Sequence, residues 1–227
     1  MIVKVIIPAV NEEIALPHVL KDLPMEEIDE VIVIDNGSED KTFSLAEAHG
    51  VTALHEPQRG YGQACLKGIS YLSQQVPKPD VVVFLDGDYS DYPEEILYIL
   101  DPIRKGEADM VIGSRFRGKQ DKDAMTFPQY VGNRLACYLL EHLYQAKFTD
   151  LGPFRAIRYP SLKSLNMQDR DFGWTIEMQI KAVKKKIPWV EVPVSYRKRI
   201  GKSKISGTVG GVLMAGYKIL YTIFKYR

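Results

Sequence analysis

Two aspartates that stand one residue apart have the side chains and spacing to bind a divalent metal ion. Asp86 and Asp88 follow five apolar residues, 81–85, a run typical of a strand buried on both faces. Side chains alternate along a strand, so both carboxylates point to the same side. Carboxylates in such a place repel each other unless a cation such as Mg²⁺ or Mn²⁺ lies between them. The pair predicts a site for a metal ion and a diphosphate; the alternative is an Asp-Gly turn facing solvent.

The composition argues for one globular domain and against a nucleic-acid-binding protein. The chain has 227 residues, which is enough to bury a full core. Its 30 Lys and Arg residues and 29 Asp and Glu residues nearly cancel, so no overall charge attracts nucleic acid. Residues 181–204 differ, because they contain nine basic residues and one acidic residue, Glu191. We expect this segment to face an anion, whereas the basic residues 184–186 are more simply a solvated helix face.

The cysteines and the start of the chain favour a cytoplasmic location. Cys65 and Cys137 lie in apolar helical patterns without a CxxC spacing, so we expect buried thiols in a reducing compartment. The amino terminus enters a predicted strand directly, which predicts no signal peptide. The sequence has no run of 18 uncharged apolar residues, so we expect no membrane-spanning helix.

The first half of the chain alternates β-branched runs with amphipathic patterns. The predicted strands are residues 2–7, 31–35, 51–55, 81–85 and 110–113. The predicted helices are residues 12–22, 41–49, 61–74 and 94–104. This alternation predicts right-handed βαβ units and an α/β fold, with a mainly parallel sheet flanked by helices.

The second half is less regular, but it contains no linker that would divide the chain. The predicted elements are helices at residues 130–144 and 173–185, a strand at 189–194, a final helix from Thr208 and a segment of unassigned structure at 148–158. We expect a single domain over residues 1–227. About residues 1–118 would bind a nucleotide, and about residues 119–227 would bind an acceptor.

Polar and acidic residues follow four of the predicted strands. In an open parallel sheet, ligands bind outside the carboxyl ends of the strands. The residues at these ends include Asn11, Glu12, Asp35, Ser38, Asp86, Asp88, Ser114 and Arg115. Helix capping accounts for Ser38 and for Asp40 nearby. It does not account for Asp35, which ends a buried strand and is placed to accept hydrogen bonds from a base or a ribose.

Four motifs of the first half resemble the family-2 glycosyltransferases of the GT-A fold. Residues 5–13 are similar to that family's strand followed by P-x-x-N-E. Residues 31–42 are similar to its V-D-D-G-S-x-D-x-T element, with Asn36 in place of the second Asp. Residues 59–64 stand at its G-K-G-x-A turn, and residues 86–88 at its D-x-D. The motifs keep the family's order and spacing, and together they are more specific than any one of them.

The second half is most similar to the branch that contains the polyprenyl-phosphate (dolichol-phosphate) sugar synthases. Residues 110–116 resemble its V-x-G-S-R motif, and residues 199–204 its R-x-G-x-S-K loop. Residues 150–155 stand where the branch carries D-x-x-S-G-F-R, with Gly-Pro in place of Ser-Gly. Val10 replaces a tyrosine that often stacks near the nucleotide base. The resemblance bears more closely on the sugar donor than on the acceptor.

The resemblance implies an inverting, metal-dependent glycosyltransferase that uses a nucleotide-diphosphate sugar. The leaving diphosphate gains negative charge, so the site needs cations. Asp88 would hold Mg²⁺ or Mn²⁺, with Asp86 near the ribose or the metal. Arg199 and Lys202 would add positive charge when their glycine-containing loop closes. The residues implied to hold the nucleoside are Pro8, Glu12 and Asp35.

The acceptor decides whether the reaction needs a general base. A hydroxyl acceptor needs one, and Asp171 is the best candidate, although it could instead cap the helix that follows. A phosphate acceptor is already ionised and needs arginine contacts, which Arg115 and Arg134 are placed to make. Glu177 either faces the donor sugar or pairs with Lys181 one turn later.

A C-terminal amphipathic segment lies next to the basic loop. Residues 207–224 carry one charged side chain, Lys218, together with Tyr217 and Tyr221. We expect this segment to lie in a membrane interface and to present a lipid phosphate to the site. The alternative is that it packs on the sheet or on a partner subunit. The expected location is therefore peripheral, at the cytoplasmic face of a membrane.

We predict sugar transfer to a polyprenyl-phosphate-type lipid. The alternatives are the same donor chemistry onto a hydroxyl of a carbohydrate or glycolipid, and a sugar-nucleotide-binding protein without catalysis. The spacing Gly60-x-Gly62 also allows a dinucleotide-dependent dehydrogenase. That function is disfavoured, because the glycine pair does not follow the first strand and lacks the third glycine.

Overall fold

A mixed sheet forms the centre of the fold. In residues 1–201 and 209–227, which the computed structural model describes, seven strands share this sheet. The strands are β1 (Val3–Ala9), β2 (Glu30–Asp35), β3 (Thr52–His55), β4 (Val81–Phe84), β5 (Met110–Ser114), β6 (Arg155–Arg158) and β7 (Trp189–Pro193). Their order is β3-β2-β1-β4-β6-β5-β7. β6 runs antiparallel to both of its neighbours, and the other pairs are parallel.

Helices cover both faces of the sheet. The helices are α1 (Leu16–Asp22), α2 (Thr42–Ala48), α3 (Tyr61–Leu72), α4 (Ile96–Arg104), α5 (Phe127–Tyr144), α6 (Tyr159–Leu165), α7 (Trp174–Lys184) and α8 (Val209–Lys225), with 3₁₀ turns at Met25–Glu27 and Pro93–Glu95. Side chains of α1, α2 and α4 belong to the core on one face. Those of α3 and α5 to α8 belong to the core on the other face. The chain therefore folds as three layers around one sheet.

Alternating side chains of β1 show how both cores are built. Val5 and Ile7 belong to the core beneath α1 and α4, whereas Ile6 belongs to the core beneath α3. All three side chains are fully buried, which stabilises the fold by about 1.5–3 kcal/mol for each. A Cβ at Gly68 of α3 would lie 2.8 Å from Cδ1 of Ile6. The glycine therefore lets α3 pack closely on the sheet.

The predicted α/β fold with a mainly parallel sheet is confirmed, and the strands and helices of the first half are all present. Among these elements of the first half, one begins more than two residues from its predicted start. The first helix begins at Leu16 rather than at residue 12. The backbone N–H of Glu12 instead donates to the hydroxyl oxygen of Thr42 at 2.8 Å, which holds the preceding loop in a non-helical conformation.

The sequence prediction lacks β6 and α6, which lie inside or just after the segment of unassigned structure at 148–158. β6 has four residues and begins and ends with arginine, so neither its length nor its pattern marks a strand. Arg155 is nevertheless fully buried and donates to the backbone carbonyl oxygens of Gly152, Leu151 and Thr175. Tertiary hydrogen bonds therefore hold a strand that local sequence does not predict.

β1 and β4 separate at their carboxyl ends. Their ladder ends at the pair Ile6 and Phe84, just before Pro8, which has no N–H to donate. On its other edge, β1 stays paired with β2 as far as Ala9 and Asp35. The gap lies where the strand order of an open α/β sheet reverses, and such points bind ligands.

The C-terminal helix α8 packs against α5 and α7. Among the described residues, no helix has both the length and the apolar character needed to span a membrane. Five large apolar side chains of α8 nevertheless remain exposed: Leu213, Met214, Tyr217, Tyr221 and Phe224.

Candidate active site

A cavity of about 370 Å³ opens at the gap between β1 and β4. Its walls come from the segments after β1 and β4, from the start of α3, from residues 171 and 172, and from Arg199. The lining residues predicted from the sequence are Pro8, Glu12, Asp86, Asp88, Asp171 and Arg199. The cavity therefore brings together six of the ten predicted site residues.

The two aspartates of the predicted metal site differ in their hydrogen bonds. Oδ1 of Asp88 accepts from the backbone N–H of Ser90 at 2.9 Å and from its hydroxyl at 2.6 Å. Oδ1 of Asp86 is buried and has no hydrogen-bond partner among the described residues. Burial, and then the negative charge of Asp88, raises the pKa of Asp86 to about 7. Within the described part of the chain, the buried Oδ1 of Asp86 therefore lacks a donor or cation that would stabilise its negative charge.

This donor set fits a hard divalent cation. Mg²⁺ and Mn²⁺ commonly take one or two protein carboxylates, with water and phosphate oxygens as the other ligands. Asp86 and Asp88 supply two carboxylates, and the buried Oδ1 of Asp86 is an acceptor that a cation would satisfy. No cluster of three or more acidic, His or Cys ligands occurs in the described part of the chain, so a bound ion would depend on the ligand's own oxygens.

Arg199 joins the two sides of the cavity. Its Nη2 donates to Oε1 of Glu12 at 2.6 Å, and its Nη1 lies 3.2 Å from Oδ2 of Asp88. The backbone N–H of Ile200 donates to the carbonyl oxygen of Asp88 at 3.1 Å. A guanidinium thus lies beside the acidic pair, where an anionic ligand would need it. Lys202, predicted to act with Arg199, lies outside the described residues.

The predicted nucleoside contacts divide into two groups. Pro8 and Glu12 line the cavity. Asp35 is buried and does not line it: Oδ2 is 2.9 Å from Nδ1 of His55, and Oδ1 accepts from the backbone N–H of Ser38. Asp35 shapes the loop after β2 in this structure, and its contact with a base or ribose stays a prediction.

Asn36 fixes a wall of the cavity, and the sequence prediction gave it no role. Its Nδ2 donates to the carbonyl oxygens of Glu56 and Gln58, and its Oδ1 accepts from the N–H of Gly60. An aspartate could accept from Gly60 but could not donate to the two carbonyl groups. The departure from the family's second Asp therefore creates a bridge between the loop after β2 and the start of α3.

Gly60 and Gly62 let the loop that carries Asp171 approach α3. A Cβ at Gly60 would lie 2.2 Å from the carbonyl oxygen of Arg170, and Gly60 has a φ of +145°. A Cβ at Gly62 would lie 2.1 Å from the carbonyl oxygen of Asp169. The N–H of Gln63 donates to the Arg170 carbonyl oxygen at 2.9 Å. The glycine pair therefore serves a contact within the chain, which removes the sequence argument for a dinucleotide site.

Asp171 reaches the cavity, and a neighbouring aspartate accepts backbone hydrogen bonds from the loop before α7. Oδ1 of Asp169 accepts from the backbone N–H groups of Asp171 and Gly173, at 2.8 and 3.1 Å. No side-chain hydrogen bond caps α7 at its N-cap residue, Gly173. Burial, and then the charge of Asp169, raises the pKa of Asp171 above its ordinary value. Asp171 is thus a carboxylate that faces the cavity and binds protons more readily than usual.

The predicted acceptor residues do not line the cavity. Arg115 forms a two-point pair with Asp150, with Nε to Oδ2 at 2.8 Å and Nη2 to Oδ1 at 2.7 Å. The Asp150 carboxylate is fully buried, and the Arg115 guanidinium lies 5.0 Å from the ring centre of Tyr196. Arg134 is exposed on α5, over the ring of Tyr130. Contact of either arginine with an acceptor stays a prediction.

Of the two roles predicted for Glu177, the structure shows the pairing with Lys181. Glu177 is fully buried and pairs with Nζ of Lys181 at 2.6 Å. Its carboxylate also accepts from the backbone N–H groups of Gln168 and Asp169 and from the Tyr226 hydroxyl. These bonds lower the pKa of Glu177 despite its burial. Glu177 therefore orders the loop before α7 and ties it to the C-terminus.

Sequence reasoning missed three further cavity residues: Arg59, Tyr61 and Phe172. Arg59 donates to the carbonyl oxygen of Gly37 at 2.9 Å. Arg59 and Tyr61 flank the glycine of a motif that the sequence showed, so the motif located the segment without assigning these side chains. Phe172 follows Asp171 on the loop, and its position depends on tertiary packing.

The sheet, the acidic pair after β4 and the cavity at the gap between β1 and β4 define an α/β enzyme of the GT-A class. The family model described as "Glycosyl transferase family 2" matches residues 4–165. The chain belongs to glycosyl transferase family 2, as the motifs indicate.

Two relatives illustrate the match. An uncharacterized glycosyltransferase of Mycobacterium tuberculosis (strain H37Rv) is 32% identical over 216 residues, which is 94% of each chain. The UDP-N-acetylglucosamine–dolichyl-phosphate N-acetylglucosaminyltransferase of Methanococcus voltae is 28% identical over 247 aligned positions, covering 100% of this chain and 96% of that protein. The sequence similarity therefore extends over nearly the whole length of this chain and of both relatives.

Solved structures share the fold. Glucosyl-3-phosphoglycerate synthase from Mycobacterium tuberculosis, crystallised with Mn²⁺, UDP and glucosyl-3-phosphoglycerate, superposes with a TM-score of 0.78 at 20% identity. The match covers 99% of this chain and 79% of that chain. The same enzyme has been crystallised with Mg²⁺ and UDP. These structures confirm the GT-A architecture, in which enzymes have been captured with a divalent metal and a nucleotide diphosphate.

Proposed function

We propose that this glycosyltransferase is an inverting, metal-dependent enzyme that moves a sugar from a nucleotide-diphosphate sugar to a lipid phosphate. The observation that carries the donor half of the proposal is the acidic pair Asp86 and Asp88, with Arg199 beside it, in the cavity between β1 and β4. The lipid-phosphate acceptor is supported by the printed name of the Methanococcus voltae relative and by the apolar face described below.

The residues of the cavity suit the departure of a nucleoside diphosphate. When bound, Mg²⁺ or Mn²⁺ held by Asp86 and Asp88 would neutralise charge on the diphosphate. Arg199 would exchange its bond with Asp88 for one with a phosphate oxygen, a charge-assisted contact of comparable kind. Pro8, Glu12 and Asp35 form the expected nucleoside side, and Lys202 would follow Arg199.

The transfer itself needs one displacement at the anomeric carbon. An oxygen of the acceptor forms a bond to that carbon from the face opposite the diphosphate, while the bond to the diphosphate breaks and the diphosphate keeps the electron pair. An ionised phosphate oxygen has no proton to lose, so no base is required. A hydroxyl acceptor would pass its proton to Asp171, a carboxylate that lines the cavity.

An exposed apolar face supports contact with a membrane. Ten large apolar side chains on two packed helices are exposed: Phe127, Tyr130, Val131, Leu135 and Tyr138 of α5, and Leu213, Met214, Tyr217, Tyr221 and Phe224 of α8. Faces of this kind usually mark interaction sites. Residues 209–227 include no acidic residue and three basic ones, Lys218, Lys225 and Arg227, a charge balance that suits anionic lipid headgroups. We propose a peripheral position at the cytoplasmic face of the membrane.

The test of the reaction is sugar transfer to polyprenyl phosphate, compared with carbohydrate and glycolipid hydroxyls, with and without EDTA. We expect metal-dependent transfer to the lipid phosphate. A thermal-shift screen of nucleotide diphosphates with Mn²⁺ would identify the base, because the tightest ligand raises the melting temperature most. A screen without any stabilising nucleotide would contradict the donor chemistry.

Variants separate the two acceptors. If Arg115→Ala and Arg134→Ala leave transfer intact while Asp171→Asn abolishes it, the acceptor is a hydroxyl and the lipid-phosphate proposal is wrong. Vesicle sedimentation tests the membrane contact. Leu213→Ser and Tyr217→Ser should weaken binding to anionic vesicles, and equal binding by the native protein and both variants would contradict the proposed face.

A further inference from the structure

We propose that Arg197 is a positioning residue, which locks the loop of the metal-binding aspartates to the loop that carries Arg199. The inference rests on the proposed function, since it concerns how Asp88 and Arg199 are held for a metal and a diphosphate. Arg197 does not line the cavity, so it would act through its neighbours.

The Arg197 guanidinium lies between two tyrosines of the segment that follows Asp88. Its central carbon is 3.3 Å from the ring centre of Tyr89 and 4.1 Å from that of Tyr92. Its Nε donates to the carbonyl oxygen of Tyr89 at 2.7 Å, and its Nη2 donates to that of Asp91 at 3.2 Å. A planar guanidinium can stack on rings and donate within its own plane at the same time, which an ammonium cannot do.

Backbone hydrogen bonds run beside this stack. The N–H of Arg197 donates to the carbonyl oxygen of Ser90 at 2.9 Å, and the N–H of Ile200 donates to that of Asp88 at 3.1 Å. The two loops are therefore joined on both sides of residue 199. This pairing is what places the Arg199 guanidinium 3.2 Å from the Asp88 carboxylate.

The tyrosine under Arg197 has a backbone conformation that needs support. Tyr89 has a φ of +61°, in the left-handed region that costs a residue with a side chain about 1–3 kcal/mol. Its hydroxyl donates to the Asp22 carboxylate, and its ring packs 5.3 Å from that of His18. The turn at Tyr89 brings Ser90 back to the Asp88 carboxylate. Arg197 thus supports the turn that orients this metal-binding aspartate.

The test compares Arg197→Lys with the native protein and with Lys198→Ala, a change at the exposed neighbour in the same loop. The measurement is the Mn²⁺ concentration that gives half of the UDP-induced rise in melting temperature, together with kcat for sugar transfer. Arg197→Lys keeps the charge and the aliphatic stem, so the melting temperature without ligand should stay close to native. The Mn²⁺ requirement should rise, or kcat fall, by about 10- to 100-fold, as for other residues that orient metal ligands.

A further variant guards against a folding defect. Tyr92→Leu removes one face of the stack without touching the Tyr89 turn, and it should raise the Mn²⁺ requirement less than Arg197→Lys does. If both variants match the native protein and Lys198→Ala in Mn²⁺ dependence and kcat, Arg197 has no positioning role. If the native protein itself shows no Mn²⁺-dependent stabilisation by UDP, GDP, ADP, CDP or dTDP, the proposed function fails first, and the two failures are distinguishable.

Discussion

Two acidic side chains with buried carboxylate oxygens lie near the same edge of the sheet, and their hydrogen bonding is opposite. Asp150 is saturated: it accepts two bonds from the Arg115 side chain and one from the Arg115 backbone N–H. Asp86 is unsaturated, because its buried Oδ1 has no partner among the described residues. Asp88, two residues on, adds negative charge rather than relieving it.

The difference in hydrogen bonding distinguishes an acidic group that supports the fold from one that is available to a ligand. A buried charge that the protein has fully paired contributes to the fold, and it has little capacity left for a ligand. A buried charge that the protein leaves without donors is a cost that a bound cation or ligand removes. By this criterion, the Asp86 carboxylate is the stronger candidate for a ligand-binding group, whereas the Arg115 and Asp150 pair is already satisfied within the fold.

The largest expected effect is on stability, from breaking the saturated pair. Arg115→Ala would leave Asp150 buried without its partner, which should lower the free energy of unfolding by about 3–5 kcal/mol. Urea denaturation measures this change. Arg134→Ala, at an exposed arginine, is the control and should change it by less than about 0.5 kcal/mol. Normal stability with lost transfer in Arg115→Ala would show that Arg115 binds acceptor instead.

The next effect is on activity, from the unsaturated pair. Asp88→Asn keeps the size of the side chain but removes a ligand charge, so kcat should fall about 10²–10³-fold. The Mn²⁺-dependent stabilisation by nucleotide should also disappear. Asp101→Asn, at an exposed aspartate paired with Lys105, serves as the control. Retained Mn²⁺-dependent binding in Asp88→Asn would mean that the metal site lies elsewhere.

The sequence predicted one member of this comparison and not the other. Asp86 and Asp88 directly follow a buried strand, so a local sequence pattern locates them. Because ligands bind outside the carboxyl ends of parallel strands, that position also predicts a binding role. The pairing of Arg115 with Asp150 spans 35 residues, and it depends on β6 inserting between β4 and β5. A four-residue antiparallel strand has no periodic signature, so the sequence did not predict that Asp150 pairs with Arg115. Contact of Arg115 with an acceptor stays a prediction.

The loop that carries Asp171 shows the same limit. Asp171 was predicted as a base or a cap from its position before a helix. In the structure, Asp169, two residues earlier, accepts from the backbone N–H groups of Asp171 and Gly173, and no side-chain hydrogen bond caps α7 at Gly173. The position of this loop depends on its close approach to α3. The glycines that permit the approach were visible in the sequence, but their partner, about 110 residues later, was not.

A smaller effect on stability should follow from a side chain that blocks the close contact between α3 and the loop of residues 169–172. Gly62→Ala places a methyl group against the carbonyl oxygen of Asp169, only 2.1 Å away, so backbone must move. We expect a loss of about 1–3 kcal/mol in the free energy of unfolding and a weaker nucleotide response, because residues 169–172 line or support the cavity. Gly132→Ala, on α5 with open space around it, is the matched control and should be neutral or stabilising. Equal behaviour of the two variants would contradict the close packing.

The smallest expected effect belongs to Asp171, and it separates the two acceptor classes. With a lipid-phosphate acceptor, Asp171→Asn should change kcat by no more than about threefold, because the attacking oxygen carries no proton. With a hydroxyl acceptor, the same change should cost about 10²–10⁴-fold. The pH profile supplies an independent check. A base must be ionised, and the raised pKa of Asp171 means that its activity would be lost, as the pH falls, at a higher pH than for an ordinary aspartate. An acidic limb that Asp171→Asn removes would therefore establish a hydroxyl acceptor and overturn the lipid-phosphate proposal.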